Sequence, residues 1–273
     1  MRPIGIVGSL SHDSSPGREP RAGGCPYYAA RALRLLERPS RIVSKCGEEH
    51  RRLLLGPLLA QGVPVSWRPG KASTSFELID DGDSRRMTVK SIGDSWTVEE
   101  ARDWIRESLG PCEWVHVAPL LRGEFCAATL AEIARDRYLS LDGQGLARSP
   151  ELGPLVLDAD FDRELLRHVT VLKLAEEEAV ALLGEVDAAS LATLEVPEVV
   201  VTRGSRGALV YHQGELAEVP ARPVVTNTDT TGAGDEFAAI YIAARARGRS
   251  PVVAARRAAV FVGALLSRRL PAS

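Results

Sequence analysis

The chain has few aromatic residues, 5% of 273, and only four cysteines and two methionines, with a formal net charge of −2. The near-neutral charge supplies neither a basic field for nucleic acid nor an acidic tail. Arginine pairs such as Arg256-Arg257 and Arg268-Arg269 read as solvated helix faces. Cys25, Cys46, Cys112 and Cys126 have no CxxC spacing and no paired histidine nearby. A zinc site or thiol redox motif is therefore not indicated, and buried, reduced thiols are expected. The first apolar run, IGIV, breaks at Gly8 and Ser9, too early for a signal peptide, and no run approaches the ~18 apolar residues of a membrane span. These absences lead to an expected cytoplasmic protein with no nucleic-acid and no membrane partner. A Walker loop is also excluded, because no Gly-Lys-Ser/Thr occurs.

Hydrophobic residues make up 45% and charged residues 26%, an ordinary globular mixture, and one large domain over residues 1–273 is expected. Short β-branched runs such as IGIVGS, RIVSKCG, EWVHVAPL, VTVLKLA and EVVVTRG alternate with longer Ala/Leu/Arg stretches. This alternation predicts an α/β fold, a parallel sheet with helices on both faces and ligands at the carboxyl ends of its strands. Residues 63–91 break the rhythm with two extended stretches around Asp81-Gly82, a hairpin signal. Phe76 and Leu78 share one face of it, and Met87 and Val89 are assigned to another. Such a hairpin serves as decoration or as a lid over the site.

In DTTGAGDEF, residues 229–237, an acid follows a Gly-Ala-Gly turn. Phe237, Ile240, Tyr241 and Ala244 fall at helical spacing, so a helix begins at or near Ala233. Its first amides lack helical partners and its dipole is positive there, which favours an anion. Gly232 and Gly234 remove the Cβ atoms that would hold a phosphate away. An ordinary helix cap explains the same four residues. A dinucleotide fingerprint does not, since Phe237 stands where it needs Gly or Ala and too little chain follows for that fold.

The whole string Asp229 to Asp235 resembles, without a gap, the second signature of the ribokinase-like (PfkB) family of carbohydrate and nucleoside kinases. The resemblance implies a three-layer α/β/α fold with a mostly parallel central sheet and a small β lid. It also implies transfer of the ATP γ-phosphoryl group to a substrate hydroxyl. Gly232, Ala233 and Gly234 would stabilise charge on that group, and Asp235 would take the hydroxyl proton. AGGCPYYAARAL, 22–33, is similar to the first signature and implies substrate contacts from Gly23, Gly24 and Tyr28, with Asp13 of SHD holding substrate hydroxyls. VVVTRGSRGALVY, 199–211, resembles the nucleotide segment, giving Thr202, Gly204 and Gly207. LKLAEEEA, 172–179, resembles the segment that organises magnesium, with Glu178 as the metal residue and Lys173 on the nucleotide side.

The sequence also departs from the family pattern. Ala175 stands where the family has Asn, and Tyr28 where ribokinase-type sugar sites have Asn, which argues against ribose bound in the usual way. The segment from Asp13 to Gly23 is short and polar, so part of the usual lid is expected to be missing and 63–91 to serve alone. LDGQGLAR, 141–148, resembles a segment of the inositol-kinase-like branch. It nominates Asp142, Gln144 and Arg148 as substrate contacts, although a polar strand-to-loop turn explains them as well.

The implied function is an ATP- and Mg2+-dependent kinase of a sugar or inositol-like cyclic polyol. A nucleoside kinase, or a non-catalytic nucleotide- or sugar-binding module, remains as the alternative. Lids of this family can form dimer contacts, which leaves a homodimer open. His12 is a substrate contact or a partly exposed polar residue, and Trp67 and Trp96 line a pocket or pack the hairpin.

Overall fold

The computed structural model describes residues 1–81, 84–223 and 229–269; Gly82 of the expected hairpin turn lies outside them. In chain order the strands are β1 (Ile4–Ser9), β2 (Ser11–Ser15), β3 (Arg18–Gly23), β4 (Ser40–Gly47), β5 (Val65–Gly70), β6 (Thr74–Asp81) and β7 (Ser84–Ser91). There follow β8 (Trp114–Val117), β9 (Tyr138–Asp142), β10 (Gly153–Pro154), β11 (Val169–Ala175), β12 (Glu198–Thr202), β13 (Ala208–His212) and β14 (Glu215–Val219). Nine of these form one sheet in the order β14-β13-β12-β11-β9-β8-β1-β4-β5. Neighbours from β12 to β5 are parallel, and only β13 and β14 run antiparallel at one edge.

The period-two pattern of the strands feeds two cores. Ile4, Ile6 and Ile42 pack beneath the helices Cys25–Leu35, Ala233–Arg245 and Pro251–Leu266. Val7, Val43 and Val117 face the opposite layer, where Ile105, Ile133 and Ala179 come from helices. Each such side chain removed from water contributes roughly 1.5–3 kcal/mol, so a one-residue slip of register would exchange the two cores and is strongly disfavoured. The sheet is thus covered on both faces, as the alternation predicts. From β1 the chain proceeds to β4 and β5 on one side and returns to β8 on the other. That reversal opens a crevice at the carboxyl ends of β1 and β8, where ligands of open α/β sheets bind.

The second sheet corrects the expected lid. It has five strands, ordered β10-β7-β6-β2-β3, so the polar segment after β1 forms two lid strands and is not missing. Conversely, Val65–Gly70 pairs with β4 as the edge of the main sheet, and only β6 and β7 make the expected hairpin. Phe76 pairs with Val89 and Leu78 with Met87. Opposed residues share a face, and Phe76, Leu78 and Val89 are buried on Leu120 and Leu121 with Met87 and Leu155 packed beside them. The assignment of Met87 and Val89 to a separate face is thereby corrected.

Trp96 is fully buried between Trp104 and Phe125, and Trp67 donates its indole N–H to Cys46 Sγ at 3.3 Å, so both pack. All four cysteines are free thiols, and three are buried as expected; Cys126 is exposed. Among the described residues no helix is long and apolar enough to cross a membrane.

Candidate active site

A cavity of about 330 Å³ opens at the carboxyl ends of the parallel strands, between the main sheet and the lid. Its donor wall is the turn before the helix Ala233–Arg245. Gly232 adopts φ 74°, a left-handed conformation that favours glycine, and the place of its missing Cβ is filled by the Tyr28 ring, 2.2 Å away. The Ala233 amide donates to the Thr230 carbonyl at 3.0 Å and the Glu236 amide to Gly232 at 2.9 Å. The amides of Gly232, Gly234 and Asp235 have no backbone acceptor among the described residues. The anion cradle therefore consists of three amides, without that of Ala233, at the positive end of a 13-residue helix.

Beneath this turn lies a buried polar column. The parallel register sets His116 beside Ser140 and Asp142 beside Lys173, all on the sheet face that meets the helix. His116 Nδ1 lies 3.0 Å from Ser140 Oγ, and Lys173 Nζ forms an ion pair with Asp142 at 3.4 Å. A Cβ added at Gly234 would stand 3.1 Å from Lys173 Nζ, so the ammonium sits directly under the cradle. Burial alone would push the Lys173 ammonium down, but Asp142, Glu178 and Asp235 outweigh it and hold it above its ordinary value. Burial, assisted by Lys173, lowers the His116 imidazole to about 3, which keeps the ring neutral.

Asp235 opens onto the cavity while protein crowds its other sides. Burial first, then repulsion by Asp142, raises its carboxyl to about 7; Lys173, Arg148 and a hydrogen bond from the Cys25 thiol work against the rise. A base in this range is matched to neutral pH, better than the unperturbed carboxylate near 4 that the sequence suggests.

The acceptor wall gathers pieces distant in sequence. Ser11 and Asp13 come from β2, with the Ser11 hydroxyl donating to Asp13 Oδ1 at 2.7 Å. Burial raises the Asp13 carboxyl above its ordinary value. Gly24, at φ 90°, brings the chain within 2.6 Å of the Ser9 carbonyl, measured from the place a Cβ would take, so the turn tolerates no side chain. Gln144, Arg148, Ala118, Pro119 and Leu120 complete the floor, and the lid contributes Phe76, Leu78 and Met87 as an apolar roof.

Most residues nominated from sequence meet here: Asp13, Gly24, Tyr28, Gln144, Arg148, Lys173, Glu178, Thr202, Gly204 and residues 232–235 all line the cavity. Three nominated residues fall outside the cavity lining. Asp142 is completely buried beneath the floor, paired with Lys173, and does not face the cavity. Gly207 lies outside it; at φ 90° its missing Cβ would meet the Val219 carbonyl at 2.0 Å, which is a packing reason for glycine. Gly23 backs Asp13, whose Oδ2 occupies its Cβ position at 2.1 Å, and does not line the cavity itself. His12 packs against His50 and also stays out. Sequence reasoning missed the lining residues Cys25, Leu120 and Glu177. Cys25 had a signal, its place directly after the paired glycines at the start of the helix.

For a cation, the cavity offers Glu177 and Glu178 near the cradle. Glu178 already accepts the Ala175 amide at 2.8 Å and faces Arg148 at 3.5 Å. Among the described residues no three carboxylate, imidazole or thiolate groups converge. This donor set fits magnesium carried on phosphates with most of its waters retained, and not a resident protein-only cage.

Comparison with known proteins accords with this geometry. The model of the pfkB family carbohydrate kinases matches residues 15–270. Fructokinase of Salmonella typhimurium is 29% identical over 270 residues, 91% of this chain and 86% of that protein. The fold matches a pyrophosphate-dependent kinase of the ribokinase family, complexed with a pyrophosphate analog and myo-inositol, at TM-score 0.83 and 24% identity, covering 98% of this chain and 96% of that one. It also matches Arabidopsis thaliana ribokinase complexed with ribose and ATP, at TM-score 0.72 and 20% identity, covering 99% and 94%. The chain has the ribokinase-like fold and belongs to the pfkB family of carbohydrate kinases, phosphotransferases that act on an alcohol group.

Proposed function

We propose that the protein is an ATP-dependent cytoplasmic kinase that phosphorylates a hydroxyl of a sugar or inositol-like cyclic polyol. The observation that carries this reading is the meeting of the Asp235 carboxyl and the amides of Gly232, Gly234 and Asp235, which have no backbone acceptor among the described residues, with Asp13, Gln144 and Arg148 in one cavity. Phosphoryl transfer requires positioning and charge stabilisation more than covalent chemistry. Asp13 and the Gly24 turn hold the acceptor, and Asp235 accepts the proton of the attacking hydroxyl. Gly232, Gly234 and Asp235 amides, with Lys173 below them, stabilise charge on the transferring group. Thr202 and Gly204 stand on the donor side. Glu178 would help to hold magnesium carried on the donor phosphates, which would supply further neutralisation of their charge.

The apolar roof of Phe76, Leu78 and Met87 suits the carbon face of a ring, while Asp13 and Gln144 suit its hydroxyls. Tyr28 fills the turn at Gly232, which supports a cyclitol or hexose over ribose bound in the ribokinase manner. A second reading concerns the donor. Of the cavity's aromatic residues, Phe76 belongs to the lid and the Tyr28 ring is packed into the turn at Gly232, so among the described lining residues none is free to stack on a base at the donor side. Pyrophosphate, which needs only the cradle, is therefore the competing donor.

The test is a product-detecting phosphorylation screen by 31P NMR over sugars, cyclitols and nucleosides, with ATP-Mg and with pyrophosphate-Mg in parallel. A phosphorylated cyclitol or hexose formed with ATP supports the first reading, and product with pyrophosphate alone replaces it by the second. Phosphorylated nucleosides alone overturn the acceptor assignment. Ligand binding by calorimetry without any product would indicate a binding module.

A further inference from the structure

Arg21 lies on lid strand β3, in register opposite Asp13 on β2. Its guanidinium leaves the lid and reaches the segment just before the cradle. Nη1 donates to Asp229 Oδ2 at 3.1 Å and Nη2 to Thr231 Oγ1 at 3.2 Å. Asp229 in turn accepts the Thr231 amide on its other oxygen at 2.9 Å. Thr231 and Gly232 both line the cavity, so this fork ends one residue from the left-handed turn. Arg269 Nη1 donates to the carbonyls of Asp229 and Thr231 at 2.7 and 2.8 Å, and Arg269 Nη2 pairs with buried Glu236. The cradle loop is thus gripped by two arginines, which line one depression with Asp229 and Thr231. The Arg269 side chain is mostly buried and reaches the loop from beyond the helix Pro251–Leu266, whereas Arg21 is fixed to the sheet that roofs the acceptor.

This difference matters because Arg21 joins two parts that bind different substrates. The strand that carries Asp13 is hydrogen-bonded to β3 and also to β6, which supplies Phe76 and Leu78. A displacement of the lid sheet therefore draws on Asp229 and Thr231 through the two charge-assisted bonds of one planar fork, a geometry that a single ammonium does not reproduce.

We infer that Arg21 is a positioning residue that ties the acceptor-binding lid to the phosphoryl cradle, so that the turn at Gly232 is held in its transfer geometry by the seated lid. The inference rests on the kinase reading for its catalytic consequence, but not for its structural one. Arg21 touches neither reacting group and acts through Asp229 and Thr231.

Hydrogen exchange on the full-length wild type, Arg21→Ala and Arg21→Lys tests the tie without any assumption about substrate. In Arg21→Ala, the hydrogen-bonded amides of Thr231 and Ala233 should exchange about tenfold faster while those of β12 stay unchanged. Unchanged exchange at Thr231 and Ala233 overturns the inference. On an acceptor that the wild type phosphorylates, Arg21→Ala should lower kcat about tenfold with acceptor KM within about threefold, because the group acts on transition-state geometry. Arg21→Lys should fall between the two, and a lysine variant as fast as wild type contradicts the bridging role. Asp229→Asn combined with Arg21→Ala should lose little more than either alone, and full additivity counts against a shared contact. A wild type that phosphorylates nothing removes the kinase reading and leaves the exchange result to decide the tie by itself.

Discussion

The two walls of the cavity are made by different means. The donor wall uses backbone amides at one helix end, backed by a buried ion pair whose partners are fixed by the register of β9 and β11. The acceptor wall uses side chains from β2, the loop after β8, residues 144–148 and the lid hairpin, with the roof held by apolar contacts. A backbone site demands glycine at defined places and tolerates little else. A side-chain site can change its ligand by exchanging a few residues while the phosphate machinery stays the same.

Variants that strike the donor wall should therefore be the most damaging. Lys173→Met leaves Asp142 buried without its cation and should destabilise the fold by about 3–5 kcal/mol in chemical denaturation. Adding Asp142→Leu should recover at least half of that loss, and no recovery would mean that the pair is not the cause. Gly232→Ala forces a Cβ into the Tyr28 ring at a left-handed position and should cost about 2–4 kcal/mol in the same experiment, with a loss of kcat.

A third expectation concerns pH. The Asp235 carboxyl lies at about 7 in the fold against an ordinary value of 3.8. A carboxyl raised by folding leaves stability intact below about pH 4 and removes it as pH rises through about 7. Asp235→Asn should accordingly raise the melting temperature, most at pH 8 and least near pH 4; an equal shift at both would place the titration elsewhere. Activity of the wild type should in turn fall as pH drops below about 7, because the base becomes protonated.

The smallest effect belongs to the roof. Met87→Ala trims a partly buried side chain beside Phe76 and Leu78 and should raise acceptor KM about fivefold, leaving donor KM unchanged. A change in donor KM instead would dissolve the division between the walls.

The same division explains what the sequence disclosed. The cradle was legible because only small residues allow its backbone to approach a phosphate, and because the helical spacing after Asp235 fixes where the helix starts. The parallel sheet was legible from its apolar runs. The lid strands β2 and β3 were not, since SHDSS and REPRAG carry almost no apolar alternation and are held by strand pairing, β2 with β6 and β3 with β2. Asp142 was assigned to substrate because a carboxylate at a strand end points either into the crevice or back into the sheet, and the pairing with Lys173 that decides this is a property of register. At Gly207 the demand for glycine came from the neighbouring strand's carbonyl, which leaves no trace in a local motif.

Asp235 stands where the two walls meet, and its replacement tests the account most directly. The measurement is the initial rate of phosphoester formation at pH 8, followed by 31P NMR at saturating donor and acceptor, for wild type and Asp235→Asn. The account predicts a kcat lower by about 10²- to 10⁴-fold in the variant, with substrate binding preserved and a melting temperature no lower than that of the wild type. A folded Asp235→Asn protein turning over at the wild-type rate would contradict it.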